Sequence, residues 1–212
     1  MKKIIFAKKS GLTLIEMIMA IAIFTIGIEG FTLLFTKVWK NNSYVLEMGQ
    51  SSMAVSQGLN KMAGYIRNTK QGDDGAYPVQ SADNNDLVIF SDYDKDGITE
   101  RLHFYKNNED ILMGATNPTA TLPKTYPAGD QQTITIASNI INGSGVPIFY
   151  YYNSDYPADL VNNPVATPAQ IADVRLVKIY LETNIVPSRA PDNVKIQSFV
   201  EMRNLNDYDR ID

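Results

Sequence analysis

The densest set of chemistry-bearing side chains is Asp92-Tyr93-Asp94-Lys95-Asp96-Gly97-Ile98-Thr99-Glu100. Acids at the first, third and fifth places and glycine at the sixth are the opening of a calcium loop. An EF-hand then requires a bidentate glutamate at its twelfth place, where this chain has His103. Two readings stand side by side. Asp92, Asp94, Asp96 and Glu100 can clip a hairpin around Ca²⁺, or the segment is an acidic, solvated turn closed by Asp96-Gly97. His103 lies between Leu102 and Phe104 and is expected to point outward from a strand. With no Cys and this single His, the chain lacks thiol nucleophiles, disulfides and the usual zinc ligand sets. No glycine-rich phosphate loop is present, so the chain is not a motor ATPase. Tyr150, Tyr151 and Tyr152 have the composition of a binding platform, but three in a row on a strand alternate between core and surface. Asn41-Asn42-Ser43 and Asn142-Gly143-Ser144 match glycosylation sequons, short patterns common by chance. These features together point away from an enzyme.

One further acid is unusual for its surroundings. Glu16 lies in a run from Leu12 to Thr36, LTLIEMIMAIAIFTIGIEGFTLLFT, which has no Lys or Arg and only one other acid, Glu29. As a helix those residues extend roughly 37 Å, enough to cross a bilayer core. Lys2, Lys3, Lys8 and Lys9 precede the run, and Lys37 and Lys40 follow it. A short basic leader favours an N-terminus held on the cytoplasmic side. An ordinary secretory signal is cut after its apolar core, yet Ala20-Ile21-Ala22 falls inside this run. A plain uncleaved anchor leaves Glu16 unexplained, since a carboxylate in hydrocarbon is costly.

The stretch Lys8-Lys9-Ser10-Gly11-Leu12-Thr13-Leu14-Ile15-Glu16 resembles the leader junction of type IV prepilins and type II secretion pseudopilins. That resemblance implies cleavage by a prepilin peptidase between Gly11 and Leu12, and N-methylation of Leu12, where the family more often has Phe or Met. It implies that Glu16, the fifth mature residue, pairs with a mature N-terminal amine in the filament and sets subunit register. A carboxylate in the first turn also suits the positive end of the helix dipole. Further implied partners are other pilin or pseudopilin subunits, an inner-membrane assembly platform with its ATPase, and the membrane itself. The expected location is the cytoplasmic (inner) membrane, crossed once, with an extracytoplasmic head that enters a filament. Ala22-Ile23-Phe24, residues 51–68 and the closing residues 198–205 resemble minor pseudopilins of type II secretion. Loss of residues 1–11 removes four lysines and leaves 15 bases against 23 acids, a mature charge of −8 apart from the termini. No direct nucleic-acid binding is expected of so acidic a chain. The competing reading is an extracytoplasmic binding domain tethered by the same helix.

The elements that carry these residues follow from periodicity. Phe31, Leu34, Val38, Val45, Met48, Val55, Leu59, Met62 and Ile66 keep a 3–4 spacing, broken at Asn41 and Ser52. One amphipathic helix is therefore predicted to run until Gly72-Asp73-Asp74-Gly75. Glycines at 49, 58 and 64 weaken a coiled-coil alternative. Residues 87–91, 101–105, 132–138, 147–152, 174–182 and 194–203 read as strands, with Val177, Ile179 and Leu181 and then Val194, Ile196, Val200 and Met202 on inward parities. Residues 155–168 read as a long loop, and 168–173 as a short helix. The predicted class is α+β: a long N-terminal helix packed on an antiparallel β-sheet head. The predicted division is a basic leader at 1–11, a transmembrane and polymerisation half-helix at 12–36, an amphipathic half-helix at 37–71, and a β-rich head at 72–212. Glu29, set between Gly27 and Gly30, either lies where the helix can open or marks the upper membrane edge.

Overall fold

The computed structural model describes residues 11–186 and 193–206, so the leader lysines at positions 2, 3, 8 and 9 lie outside the described residues. Its first element is α1 (Leu14–Arg67), a helix of 54 residues. The chain divides into two compact units, Met1–Leu46 and Glu47–Asp212. In the first, the described residues are the part of α1 up to Leu46 and the three residues that precede the helix, and nearly every apolar side chain is exposed.

Among the described residues of the second unit, eight strands form two antiparallel sheets. β1 (Val79–Ala82), β2 (Asp86–Ser91), β3 (Glu100–Asn107), β4 (Asp110–Thr116) and β5 (Gln132–Ala137) make a five-stranded meander. β6 (Phe149–Tyr152), β7 (Leu176–Thr183) and β8 (Val194–Glu201) make a three-stranded one. Every neighbouring pair is antiparallel, so hairpin connections suffice and no crossover helix is needed. The predicted single sheet is thus two. They are stitched where the Ile148 and Phe149 amides donate to the Asn84 carbonyl and the Tyr151 hydroxyl donates to the Asp83 carbonyl at 2.7 Å.

Both sheets turn one face inward onto α1, giving the α+β class. Val55, Leu59, Met62, Ala63 and Ile66 of the helix join Leu102 and Phe104 of β3, Ile111 and Met113 of β4, and Val177, Ile179 and Leu181 of β7 in one core. The predicted seam holds from Met48 upward, whereas Val45 is exposed and Tyr44 is the buried residue at that level. The helix also ends earlier than predicted, at Arg67. The Thr69 hydroxyl caps the Ile66 carbonyl at 2.7 Å, and the Lys70 amide has already joined the Phe90 carbonyl. Gly72-Asp73-Asp74-Gly75 is a separate turn, with Gly75 at φ 86°.

β1 and β4 were not predicted. β1 is four residues with a register shift between Val79 and Ser81. β4 opposes β3 across a tight turn in which Asn108 takes φ 55°, a signal present in Asn107-Asn108-Glu109-Asp110. β8 stops at Glu201, and the short α2 (Arg203–Asn206) follows instead of further strand. Residues 171–173 form the predicted short helix as a single 3₁₀ turn.

Candidate functional site

Gly11 and Leu12 are exposed and lie just before the first helical turn. Thr13 is the N-cap of α1. Its amide donates to Glu16 Oε2 at 2.8 Å, its hydroxyl donates to the same oxygen at 2.9 Å, and the Glu16 amide reaches back to the Thr13 hydroxyl at 3.4 Å. This is a capping box, in which two orphan helix-end amides find partners. Sequence reasoning singled out Glu16 and passed over Thr13, although Ser/Thr-x-x-Glu before an apolar run is the known signature. The carboxylate is therefore held at the start of the helix by its own chain.

Beyond Glu16, α1 is the one helix among the described residues long and apolar enough to cross a membrane, with none of its most apolar stretch buried. Its hydroxyls are satisfied internally: Thr25 donates to the Ile21 carbonyl at 2.7 Å, Thr32 to Ile28 at 2.8 Å, and Thr36 to Leu33 at 3.0 Å. Such back-bonding leaves no hydroxyl proton searching for a partner in hydrocarbon.

The acidic loop joins β2 to β3. Asp92, Asp94 and Glu100 offer carboxylate oxygens that all lie within 4.8 Å of one another, a grouping able to surround a hard cation; Asp96 is outside it. The loop also closes on itself. Gly97, at φ 92°, donates its amide to Asp92 Oδ2, the Asp96 amide donates to Asp94, and the Ile98 amide donates to Asp96 at 2.7 Å. Lys70 sits 3.6 Å from Asp92 Oδ2. Asp92 Oδ1 is buried without a hydrogen-bond partner. Glu100 is 1% exposed and accepts the Tyr93 amide at 3.2 Å. Burial, reinforced by the charges of Asp94 and Asp96, pushes its carboxyl up to about 7 against that hydrogen bond.

His103 points outward from β3, as expected, but it is not idle. Nε2 lies 2.6 Å from Asp86 Oδ2 and Nδ1 lies 3.1 Å from Asp130 Oδ2, while the ring stacks on Tyr105. Both contacts are hydrogen bonds only when the ring carries two protons. Ser81 donates to Asp86 at 3.3 Å and not to the ring. With each ring nitrogen facing a carboxylate, neither is left to act as a base toward that hydroxyl. Asp130 reaches His103 by lying across Gly114, the residue paired with His103 in the β3–β4 ladder.

The tyrosine run behaves as alternation predicts with one addition. Tyr151 is fully buried and Tyr150 half-buried, and Tyr152 is also buried because the rings of Tyr156 and Phe199 lie tilted against it on the outer face. Lys178 lies over the rings of Tyr150, Tyr180 and Phe199. The Asn142 sequon is not presented: its side chain is buried, donating to the Tyr180 carbonyl and accepting the Glu182 amide.

The family model described as the prokaryotic N-terminal methylation motif matches residues 6–28. No curated protein and no solved structure matches the chain. The match brackets Gly11, Leu12 and the Thr13–Glu16 box. The chain thus carries the N-terminal methylation motif of type IV pilin-like proteins, a structural family whose precursors a prepilin peptidase processes.

Proposed function

We propose that the chain is a structural subunit, a minor pilin or pseudopilin, of a type IV pilus-like or type II secretion filament. The observation that supports this most is the methylation motif over residues 6–28, joined to an apolar helix whose side chains are exposed. The peptidase cuts between Gly11 and Leu12, and Leu12 becomes the methylated N-terminus. The apolar half of α1 anchors the subunit in the inner membrane, with the head outside, until an assembly platform moves it into a bundle of like helices. Apolar packing supplies the cohesion there. Glu16 sits at the start of the helix, where a neighbour's terminal amine offsets its charge and fixes register. The chain acts by assembly and not by turnover.

Mass spectrometry of the protein from its native membrane tests processing: the expected N-terminus is Leu12 bearing one methyl group. A chain that begins elsewhere overturns the reading. Glu16→Leu separates it from a tethered binding domain, which uses the helix only as an anchor. The subunit reading expects normal membrane insertion with loss of filament incorporation; the tether reading expects no change in function.

A further inference from the structure

Phe31, Phe35 and Trp39 stand at i, i+4 and i+8 on α1, with successive ring centroids 6.2 Å apart in both steps. They are 69%, 55% and 64% exposed. Trp39 is the only tryptophan in the chain, and it falls where the sequence changes character. Below it lie residues 12–36, without Lys or Arg and with threonine hydroxyls bonded to their own helix. Lys37 stands just before it, and Lys40, Asn41, Asn42 and Ser43 follow. An amphipathic ring bracketed by lysines at the end of an apolar helix suits the boundary between acyl chains and headgroups.

Granted the membrane anchoring proposed above, we infer that this aromatic column seats the helix in the bilayer interface remote from the N-terminus, with Trp39 at the headgroup boundary. The axial distances support one placement. Trp39 stands 23 residues beyond Glu16, roughly 35 Å along a helix, which spans a hydrocarbon core of about 30 Å and the edge of each interface. Glu16 and its capping box then lie at the opposite interface instead of in oil. The other boundary the sequence offers is Glu29. It leaves only 13 residues, about 20 Å, between the two acids, too short a span, and puts three large exposed rings in water. With Trp39 at the boundary, Glu29 lies about 15 Å below it, near the bilayer midplane. Glu29 is then the acid that needs a partner inside the membrane.

Because Trp39 is unique, its fluorescence reports this residue alone. The full chain is reconstituted at low density into vesicles of phosphatidylethanolamine and phosphatidylglycerol, in which the lipid carries bromine either near the carbonyl end or near the tip of the acyl chain. The expected result is blue-shifted emission, quenched several-fold more by bromine near the carbonyl end. In a Phe31→Trp, Trp39→Phe double variant the stronger quencher becomes the chain-tip bromine, since that position lies about 12 Å deeper. A chain that floats with the vesicles but whose Trp39 emission is unquenched overturns the inference alone and assigns the column to contacts between copies. Equal depth for positions 31 and 39 also overturns it, because the helix then lies along the surface. A chain that does not float with the vesicles overturns the anchoring and this inference together.

Discussion

The Thr13 amide and hydroxyl converge on one oxygen of Glu16, at 2.8 and 2.9 Å. A single carboxylate therefore closes the first turn of a 54-residue helix before any partner chain is present. The same hydroxyl accepts the Glu16 amide, so substitution of Thr13 removes both side-chain bonds and leaves only the Thr13 amide on the carboxylate. Thr13→Ala is expected to speed exchange of the Glu16 amide about fivefold, the equivalent of roughly 1 kcal/mol of lost cap. Amide exchange of the full chain in detergent, read at residues 13–16, measures this. Unchanged exchange would mean that the cap does not hold in the membrane-like environment.

Glu100 ties stability to pH with a definite sign. Its folded carboxyl titrates at about 7, above the ordinary 4.5, so the folded state holds the proton more tightly than the unfolded chain. That contribution is complete below pH 4.5, falls as pH rises toward 7, and is absent above it. The melting midpoint should drop across that window. Glu100→Gln should flatten the drop and stabilise the protein at pH 8 by about 1–2 kcal/mol, after allowance for solvent screening. Thermal melts of both proteins, in chelator and in millimolar calcium, check it. Destabilisation by the same substitution, confined to calcium buffer, would instead assign Asp92, Asp94 and Glu100 to a bound cation.

Gly58 is required by contact and not by conformation. A β-carbon there would lie 2.2 Å from the Ile136 carbonyl oxygen, so α1 packs against β5 backbone to backbone. Gly58→Ala must push helix and strand apart, at a cost of about 2–3 kcal/mol. Chemical denaturation is the measurement. Gly64→Ala is the control, because nothing lies within 4 Å of the corresponding β-carbon, and it should be neutral or slightly stabilising.

The Asp86–His103–Asp130 bridge fastens the connection 117–131 to the outer face of the five-stranded sheet. Arg101 and Thr116 also hold that connection, through the Gly129 carbonyl, and the Tyr126 hydroxyl donates to the Thr99 carbonyl at 2.6 Å. Gly114→Ala would place a β-carbon 2.1 Å from the Asp130 carboxyl carbon and displace it from the ring. The expected outcome is faster amide exchange across 128–131 and a loss of about 1–2 kcal/mol, with the Tyr126 end unaffected. Exchange that accelerates uniformly over 117–131 would show that the two ends are not fastened independently.

Much of this molecule was legible in one dimension because the signals were local. The span from Leu12 to Thr36, the acid at position 16 in its first turn, and the 3–4 spacing from Met48 to Ile66 depend on composition and period alone. So does the inward parity of Val177, Ile179 and Leu181, since a strand alternates whatever it faces. Tertiary structure decided what depends on approach. The division of eight strands into two sheets, the close seat of Gly58 on β5, and the passage of Asp130 over Gly114 to His103 join residues far apart in the chain. Glu100 shows the difference most clearly. Its spacing from Asp92 marks it as a candidate ligand, but only its burial beside Asp94 and Asp96 raises its carboxyl toward neutrality, because desolvation is a property of the surroundings and not of the sequence neighbours.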